Sequence, residues 1–283
     1  MKEGGDFMSG TKSYQNVKVE KENGITWVIL NRPEKRNAMS PALHHEMLDV
    51  ITELETDDET QVLVLTGAGD SWCAGLDLKE YFRGLENKPK ERFRAEWASH
   101  QWRWEKLVLF PKPTIAMING YCFGGGFTQL AACDFAIAAE DAIFGLSEIN
   151  FGGIPAGIVS KVLADLLSYR DALYYILTGK NFDGKKAAEL RLINYAVPRE
   201  HLREETIKLA EELKQKNPNS YRICKQAFKM VRTMDHHQAF SYLAGKSMEN
   251  RFSDPERGRE AAFKQFLDEK KYRPGLGTYN RKS

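Results

Sequence analysis

Between Ile118 and Glu148 the chain sets Asn119-Gly120-Tyr121-Cys122-Phe123-Gly124-Gly125-Gly126-Phe127-Thr128, and twenty residues after Thr128 comes the end of Gly145-Leu146-Ser147-Glu148. Pro113 to Ile118 is a short β-rich run closed by Asn-Gly, and an amphipathic segment begins at the three glycines. The expected order is therefore strand, turn, helix. A helix begun by glycines exposes unpaired N–H groups and the positive end of its dipole, with no Cβ to keep a ligand oxygen away. That describes an anion or oxyanion site. Taken alone, the same glycines suit a tight turn packed on neighbouring backbone, and the choice rests on two further segments.

The first is Thr66-Gly-Ala-Gly-Asp-Ser-Trp-Cys-Ala-Gly-Leu-Asp-Leu-Lys-Glu-Tyr81, which follows Val62-Leu-Val-Leu65, an unbroken apolar run suited to a strand covered on both faces. As a dinucleotide fingerprint this loop fails: Trp72 stands where the third glycine belongs, so NAD and FAD are excluded. Two glycine loops offering N–H groups to one carbonyl oxygen would instead stabilise a developing enolate, which is the chemistry of thioesters. The second segment, Asn31-Arg32-Pro33-Glu34-Lys35-Arg36-Asn37-Ala38-Met39-Ser40, follows the strand Trp27–Leu30 and precedes a helix capped by Ser40 with Pro41 in its first turn. Its three cations fit a solvated turn or a ligand contact.

With 283 residues, 42% hydrophobic and 28% charged, and a net charge of +2, the chain suits one large core. Residues 14–215 read as an α/β core and 216–283 as a helical region, with stops at Asn217-Pro218 and Asp254-Pro255. Residues 1–13 read as a flexible polar tail without a secretory centre. No apolar run reaches membrane-spanning length. Cys73, Cys122, Cys133 and Cys224 form no Cys-x-x-Cys pair, and His44-His45 and His236-His237 lack ligand spacing, so no metal and a reducing, cytoplasmic setting are expected. The aromatics Phe93, Trp97, Trp102, Trp104 and Phe110 mark a helix over the pocket entrance, mostly as packing residues. Arg222, Lys225, Lys229 and Arg232 form a basic stripe that fits a solvated face, a phosphate contact, or binding of RNA or an acidic partner. Near-neutral total charge and the lack of interleaved aromatics disfavour nucleic acid.

From about Val17 to the C-terminal Pro-Gly-Leu, the chain resembles the enoyl-CoA hydratase/isomerase, or crotonase, superfamily. The likeness rests on Asn31-Arg-Pro with Asn37-Ala38, on Ala74-Gly75-x-Asp77-Leu78, and on Asn119-Gly120 with Gly124-Gly125-Gly126. It implies a spiral of βαβ units and a helical C-terminal region that drives assembly into a trimer or a dimer of trimers. It also implies coenzyme A thioester substrates, with coenzyme A as part of the substrate and no separate cofactor. By the same resemblance the N–H groups of Leu76 and Gly125 form the oxyanion hole, and Lys35, Arg36, Ala38, Ala74, Asp77 and Gly124 contribute to substrate binding.

Ordinary hydratases of the superfamily carry a glutamate at the position of Thr128 and another at that of Glu148. A threonine hydroxyl is no carboxylate base at neutral pH, so Glu148 would do the acid–base work alone, its pKa raised by burial. Hydroxycinnamoyl-CoA hydratase/lyases also hold a hydroxyl residue there, usually serine. Asp77-Leu-Lys-Glu-Tyr-Phe82, Cys122-Phe-Gly-Gly-Gly-Phe127 and Phe144-Gly-Leu-Ser-Glu-Ile-Asn150 are similar to that subgroup. The resemblance implies hydration and retro-aldol cleavage of a feruloyl-, coumaroyl- or caffeoyl-CoA, with Tyr81 and Tyr242 at the phenol. The alternative is a hydratase or isomerase acting on another acyl-CoA. Thr128, Leu76 in place of methionine, Phe151 in place of tryptophan, and the extra glycine at Gly152-Gly153 depart from the subgroup.

Overall fold

The computed structural model describes residues 13–273 and 275–281; the expected tail lies outside them but for Ser13. Among the described residues ten strands form two sheets: β1 (Val17–Glu22), β2 (Ile25–Leu30), β3 (Val62–Gly67), β4 (Ser71–Cys73), β5 (Thr114–Ile118), β6 (Tyr121–Phe123), β7 (Phe135–Ala139), β8 (Ile143–Gly145), β9 (Phe182–Asp183) and β10 (Tyr195–Val197). The larger sheet has the order β1-β2-β3-β5-β7-β10 and is parallel except at the β1–β2 hairpin. The smaller has the order β4-β6-β8-β9, with only β9 antiparallel.

The pairing of long and short strands explains the spiral. β3, β5 and β7 each lay a buried run in the large sheet, and the chain then bends within a few residues to add β4, β6 and β8 to the small one. β3 and β5 are buried at every position, which is why both read as continuous apolar runs rather than alternating ones. Asparagines weld the bends. Asn37 donates to the carbonyls of Ala68 and Ser71, and Asn119 donates to those of Gly67 and Gly69. Each side chain takes over carbonyls that the turn leaves unpaired.

The helices are α1 (Pro41–Thr56), α2 (Pro89–His100), α3 (Gly126–Ala132), α4 (Val159–Leu166), α5 (Tyr169–Thr178), α6 (Gly184–Glu189), α7 (Leu202–Lys214), α8 (Pro218–Val231), α9 (His236–Ser253) and α10 (Gly258–Phe263). α1 starts as its sequence predicts, the Ser40 hydroxyl accepting from the Leu43 N–H. The helix expected through residues 87–110 exists, but α2 gives way to a wide π turn at Gln101–Lys106. Trp102 and Phe110 from this segment are fully buried, whereas Phe93 and Trp97 point outward.

The basic stripe is neither a solvated face nor a free phosphate site. Lys225 and Lys229 both reach Asp134 at 2.7 Å, Arg222 pairs with Glu249, and Arg232 lies 3.8 Å from Asp165. The two lysine pairs fasten α8 to the turn between α3 and β7, while Arg222 ties it to α9 and Arg232 faces α4.

Candidate active site

A cavity of about 690 Å³ opens where the ends of the small sheet's strands, α2 and the first turn of α3 meet. Ala74, Leu76, Tyr81, Gly124, Gly125, Thr128, Glu148 and Phe151 all line it. The expected site residues Lys35, Arg36, Ala38, Asp77 and Tyr242 do not.

Both glycine loops arrive backbone first. Met39 and Leu76 form an isolated parallel bridge, in which the Met39 N–H donates to Gly75 and the Asp77 N–H donates to Met39. In extended backbone the N–H groups alternate in direction, so the Leu76 N–H is turned away from that bridge. Gly75 lets the second loop approach: at φ +88, a Cβ built there would lie 3.0 Å from the Phe123 carbonyl and 3.4 Å from the Gly125 nitrogen. The two glycine loops thus meet at Gly75 and Gly125, and Leu76 and Gly125 both line the cavity. Gly125 is also the N-cap of α3.

Glu148 lines the same cavity. It lies in the short 3₁₀ turn Ser147–Phe151 that follows β8. Gly124 is left-handed at φ +47, and a Cβ there would come within 2.8 Å of Glu148 Oε1, so only glycine admits the carboxylate so closely. Burial raises the Glu148 pKa above its ordinary value, an effect partly offset by its own backbone N–H. Glu148 Oε2 and the Thr128 hydroxyl are both buried without a hydrogen-bond partner among the described residues. Both residues line the cavity, and neither atom is spent on a hydrogen bond of the fold. Glu96 also lines the cavity, but it is paired with Arg92 at 2.8 Å.

Tyr81 sits in a π turn at Leu78–Arg83, started by the Asp77 carboxylate, which accepts from the N–H groups of Lys79 and Glu80. Asp77 also holds Arg32 at 3.1 Å, so this acidic side chain shapes the loop from below the cavity. Arg32, for which the sequence left a solvated turn or a ligand contact open, is buried against Asp77, Glu80 and the Ala38 carbonyl. Ala38 is therefore enclosed in that loop's own bonding. The Tyr81 ring is buried, and burial raises its pKa. Behind it, His44 packs edge-on at 5.6 Å and accepts from the Trp102 indole at 3.0 Å. Lys35 and Arg36 are exposed, Arg36 stacking 4.7 Å above Tyr121. Tyr242 is half-buried on α9, with Lys246 5.7 Å from its ring.

Several lining residues were not singled out from the sequence, among them Arg103. Arg103 donates to the Gly125 carbonyl at 3.0 Å. It continues the cavity-lining face of α2, on which Arg92, Glu96 and Ser99 precede it at helical spacing. Among the described residues no group of three or more His, Cys, Asp or Glu is arranged to hold a metal ion, and no helix is long and apolar enough to cross a membrane.

The geometry has counterparts in known proteins. A hydroxycinnamoyl-CoA hydratase-lyase of Pseudomonas fluorescens is 54% identical over 271 residues, 95% of this chain and 98% of that protein. The crystal structure of an enoyl-CoA hydratase from Bacillus anthracis superposes with a TM-score of 0.80 at 31% identity, covering 90% of this chain and 97% of the other. An enoyl-CoA hydratase from Polaromonas sp. JS666 gives 0.81 at 25% identity, covering 89% and 97%. The enoyl-CoA hydratase/isomerase family model matches residues 20–273. With a match that spans both sheets and the C-terminal helices, the chain belongs to the enoyl-CoA hydratase/isomerase family.

Proposed function

We propose that this protein is a lyase that hydrates a 4-hydroxycinnamoyl-CoA and cleaves the product to an aromatic aldehyde and acetyl-CoA. The observation that carries the reading is the pairing of one unpartnered carboxylate, Glu148, with a threonine hydroxyl where a hydratase would hold its second glutamate. The 54% identity to the Pseudomonas fluorescens protein supports the same reading.

In this scheme Glu148 removes a proton from water as its oxygen bonds to the β-carbon, and the electron pair of the double bond passes to the thioester oxygen. The N–H groups of Leu76 and Gly125 hold that enolate, which then takes the proton from Glu148 at the α-carbon. Thr128 supplies a hydroxyl that accepts from or donates to the water, without acting as a base. Glu148 next takes the proton of the β-hydroxyl. The Cα–Cβ bond breaks, the aldehyde leaves, and the acetyl-CoA enolate returns to the oxyanion hole to be protonated. Tyr81 hydrogen-bonds the para-hydroxyl, whose electron release eases oxygen transfer at the β-carbon. Feruloyl-CoA would give vanillin. Phe151 on the rim contributes to ring selection, a matter of packing volume.

We further infer a cytoplasmic homo-oligomer, a trimer or a dimer of trimers. Phe228, Phe240 and Phe252 on α8 and α9 are 69%, 78% and 74% exposed, which favours a covered face. Tyr242 shares α9, so a phenol contact from this residue belongs to the assembled form.

Incubation with 4-coumaroyl-CoA, feruloyl-CoA and crotonyl-CoA, followed by chromatography, is expected to give aldehyde and acetyl-CoA from the first two. A 3-hydroxyacyl-CoA that accumulates uncleaved would make the protein a hydratase. Tyr81→Phe is expected to lower kcat/KM by about 10- to 100-fold on 4-coumaroyl-CoA but less than about threefold on cinnamoyl-CoA. Equal losses on both would show that its hydroxyl does not read the phenol.

A further inference from the structure

Arg103 is a cation without a counter-ion. Its Nε donates to the Ser99 carbonyl at 3.3 Å and Nη1 to the Gly125 carbonyl at 3.0 Å, and no carboxylate of the described residues lies within 4.0 Å. Protein encloses it on every side but the cavity, and this burial draws its pKa down to about 10. The titratable groups that most affect it are themselves uncharged at neutral pH: burial raises the Cys73 thiol to about 11 and raises the Tyr81 phenol. His44, which feels the same charge, is held neutral by burial. A buried charge is ordinarily paired, because desolvation without a partner is unfavourable. Two neutral carbonyls satisfy donors but do not cancel the charge.

Its location gives the charge a use. Nη1 lies 3.0 Å from where a Cβ on Gly125 would sit, and that same Cβ would lie 3.6 Å from the Leu76 side chain. We propose that Arg103 is the positioning residue of the thioester site, clamping the Gly125 carbonyl and supplying a positive charge, unpaired within 4.0 Å, that favours the enolate over the neutral thioester. The inference rests on the thioester chemistry proposed above but not on the identity of the acyl group. When a proton passes to Glu148 the negative charge moves onto the thioester oxygen beside Arg103, whereas the ground-state carbonyl carries no charge for Arg103 to act on; the stabilisation is therefore greater for the enolate.

Acetoacetyl-CoA tests this directly, since its enolate absorbs in the near ultraviolet and requires no aromatic pocket. Bound to the parent protein at neutral pH, it is expected to show the enolate band. Arg103→Gln keeps a donor for the Gly125 carbonyl but removes the charge, and is expected to lower the bound enolate-to-ketone ratio by at least about 10-fold. Arg103→Lys restores the charge and should recover most of the band. In turnover, the glutamine variant should lose about 10- to 100-fold in kcat with KM within about threefold. A glutamine variant with the parental band, or a lysine variant no better than glutamine, overturns the assignment. A parent that binds acetoacetyl-CoA with no enolate band overturns both the assignment and the thioester reading. Failure to release an aromatic aldehyde, with the bands behaving as expected, touches only the choice of acyl group.

Discussion

Glu148→Gln is expected to lower kcat by about 10²- to 10⁴-fold while leaving affinity for the CoA ester within about threefold. Glutamine keeps the shape of the side chain that fits over Gly124, so what disappears is the capacity to accept a proton. The other lining carboxylate, Glu96, is engaged with Arg92, and Thr128 has only a hydroxyl to offer. The parent's pH profile should carry the same signature. The base must be ionised, and burial raises its pKa, so kcat/KM should fall on the acid side at a pH above the ordinary glutamate range. For stability the sign is opposite. A carboxyl whose folded pKa is raised contributes stability below its unfolded pKa, and that contribution is lost as pH rises through the folded pKa. At neutral pH the ionised Glu148 therefore opposes folding, and the glutamine variant should melt at or above the parent's temperature. A variant that turns over normally ends the proposed mechanism; one that loses activity together with several degrees of Tm would place Glu148 among the structural residues.

The parts of the site that were legible in the sequence are those made from backbone. Glycines at 75 and 124–126 were readable because close approach and left-handed turns leave few other choices, and the apolar runs of β2, β3 and β5 announce strands buried on both faces. The small sheet was not read from periodicity, since three-residue strands such as β4, β6 and β8 are too short to show any. Arg103 was missed because a cation on one face of an amphipathic helix reads as a solvated residue, and only the packing of α2 over the cavity turns that face inward. The basic stripe was misjudged because its partner, Asp134, lies 91 residues from Lys225 and 95 from Lys229. Charge runs are read locally, and nothing local distinguishes a solvated lysine from one aimed at a distant carboxylate. Arg32 shows the same blindness, with Asp77 and Glu80 lying 45 and 48 residues away.

Asp134→Ala is expected to destabilise the fold by about 3–5 kcal/mol, through the loss of a buried carboxylate that several donors share. Oδ2 accepts from the Thr114 N–H and hydroxyl and the Tyr221 hydroxyl, each at 3.0 Å, and from Lys225 at 2.7 Å; Oδ1 accepts from Lys229 at 2.7 Å. The Lys225 side chain is 4% exposed, and burial already draws its pKa down to about 8 despite the carboxylate. Alanine would leave that ammonium buried with only the Lys112 carbonyl at 3.2 Å, so lysine must lose its proton or α8 must lift from the sheet. At about 2–4 °C per kcal/mol for a chain near this size, Tm should drop by about 10 °C. Removing the orphaned charge as well separates the two terms: Asp134→Ala combined with Lys225→Met should be more stable than Asp134→Ala alone. If the double variant is the less stable of the two, burial of an unpaired lysine is not the source of the loss. The consequence reaches the active site because Asp134 directly follows α3, whose other end is Gly125. A helix of seven residues has little stiffness of its own and takes its orientation from what holds its ends, here the Arg103 bond at one and the lysine pair beyond the other. The Asp134 variant should therefore lose kcat alongside Tm, and the double variant should regain part of both.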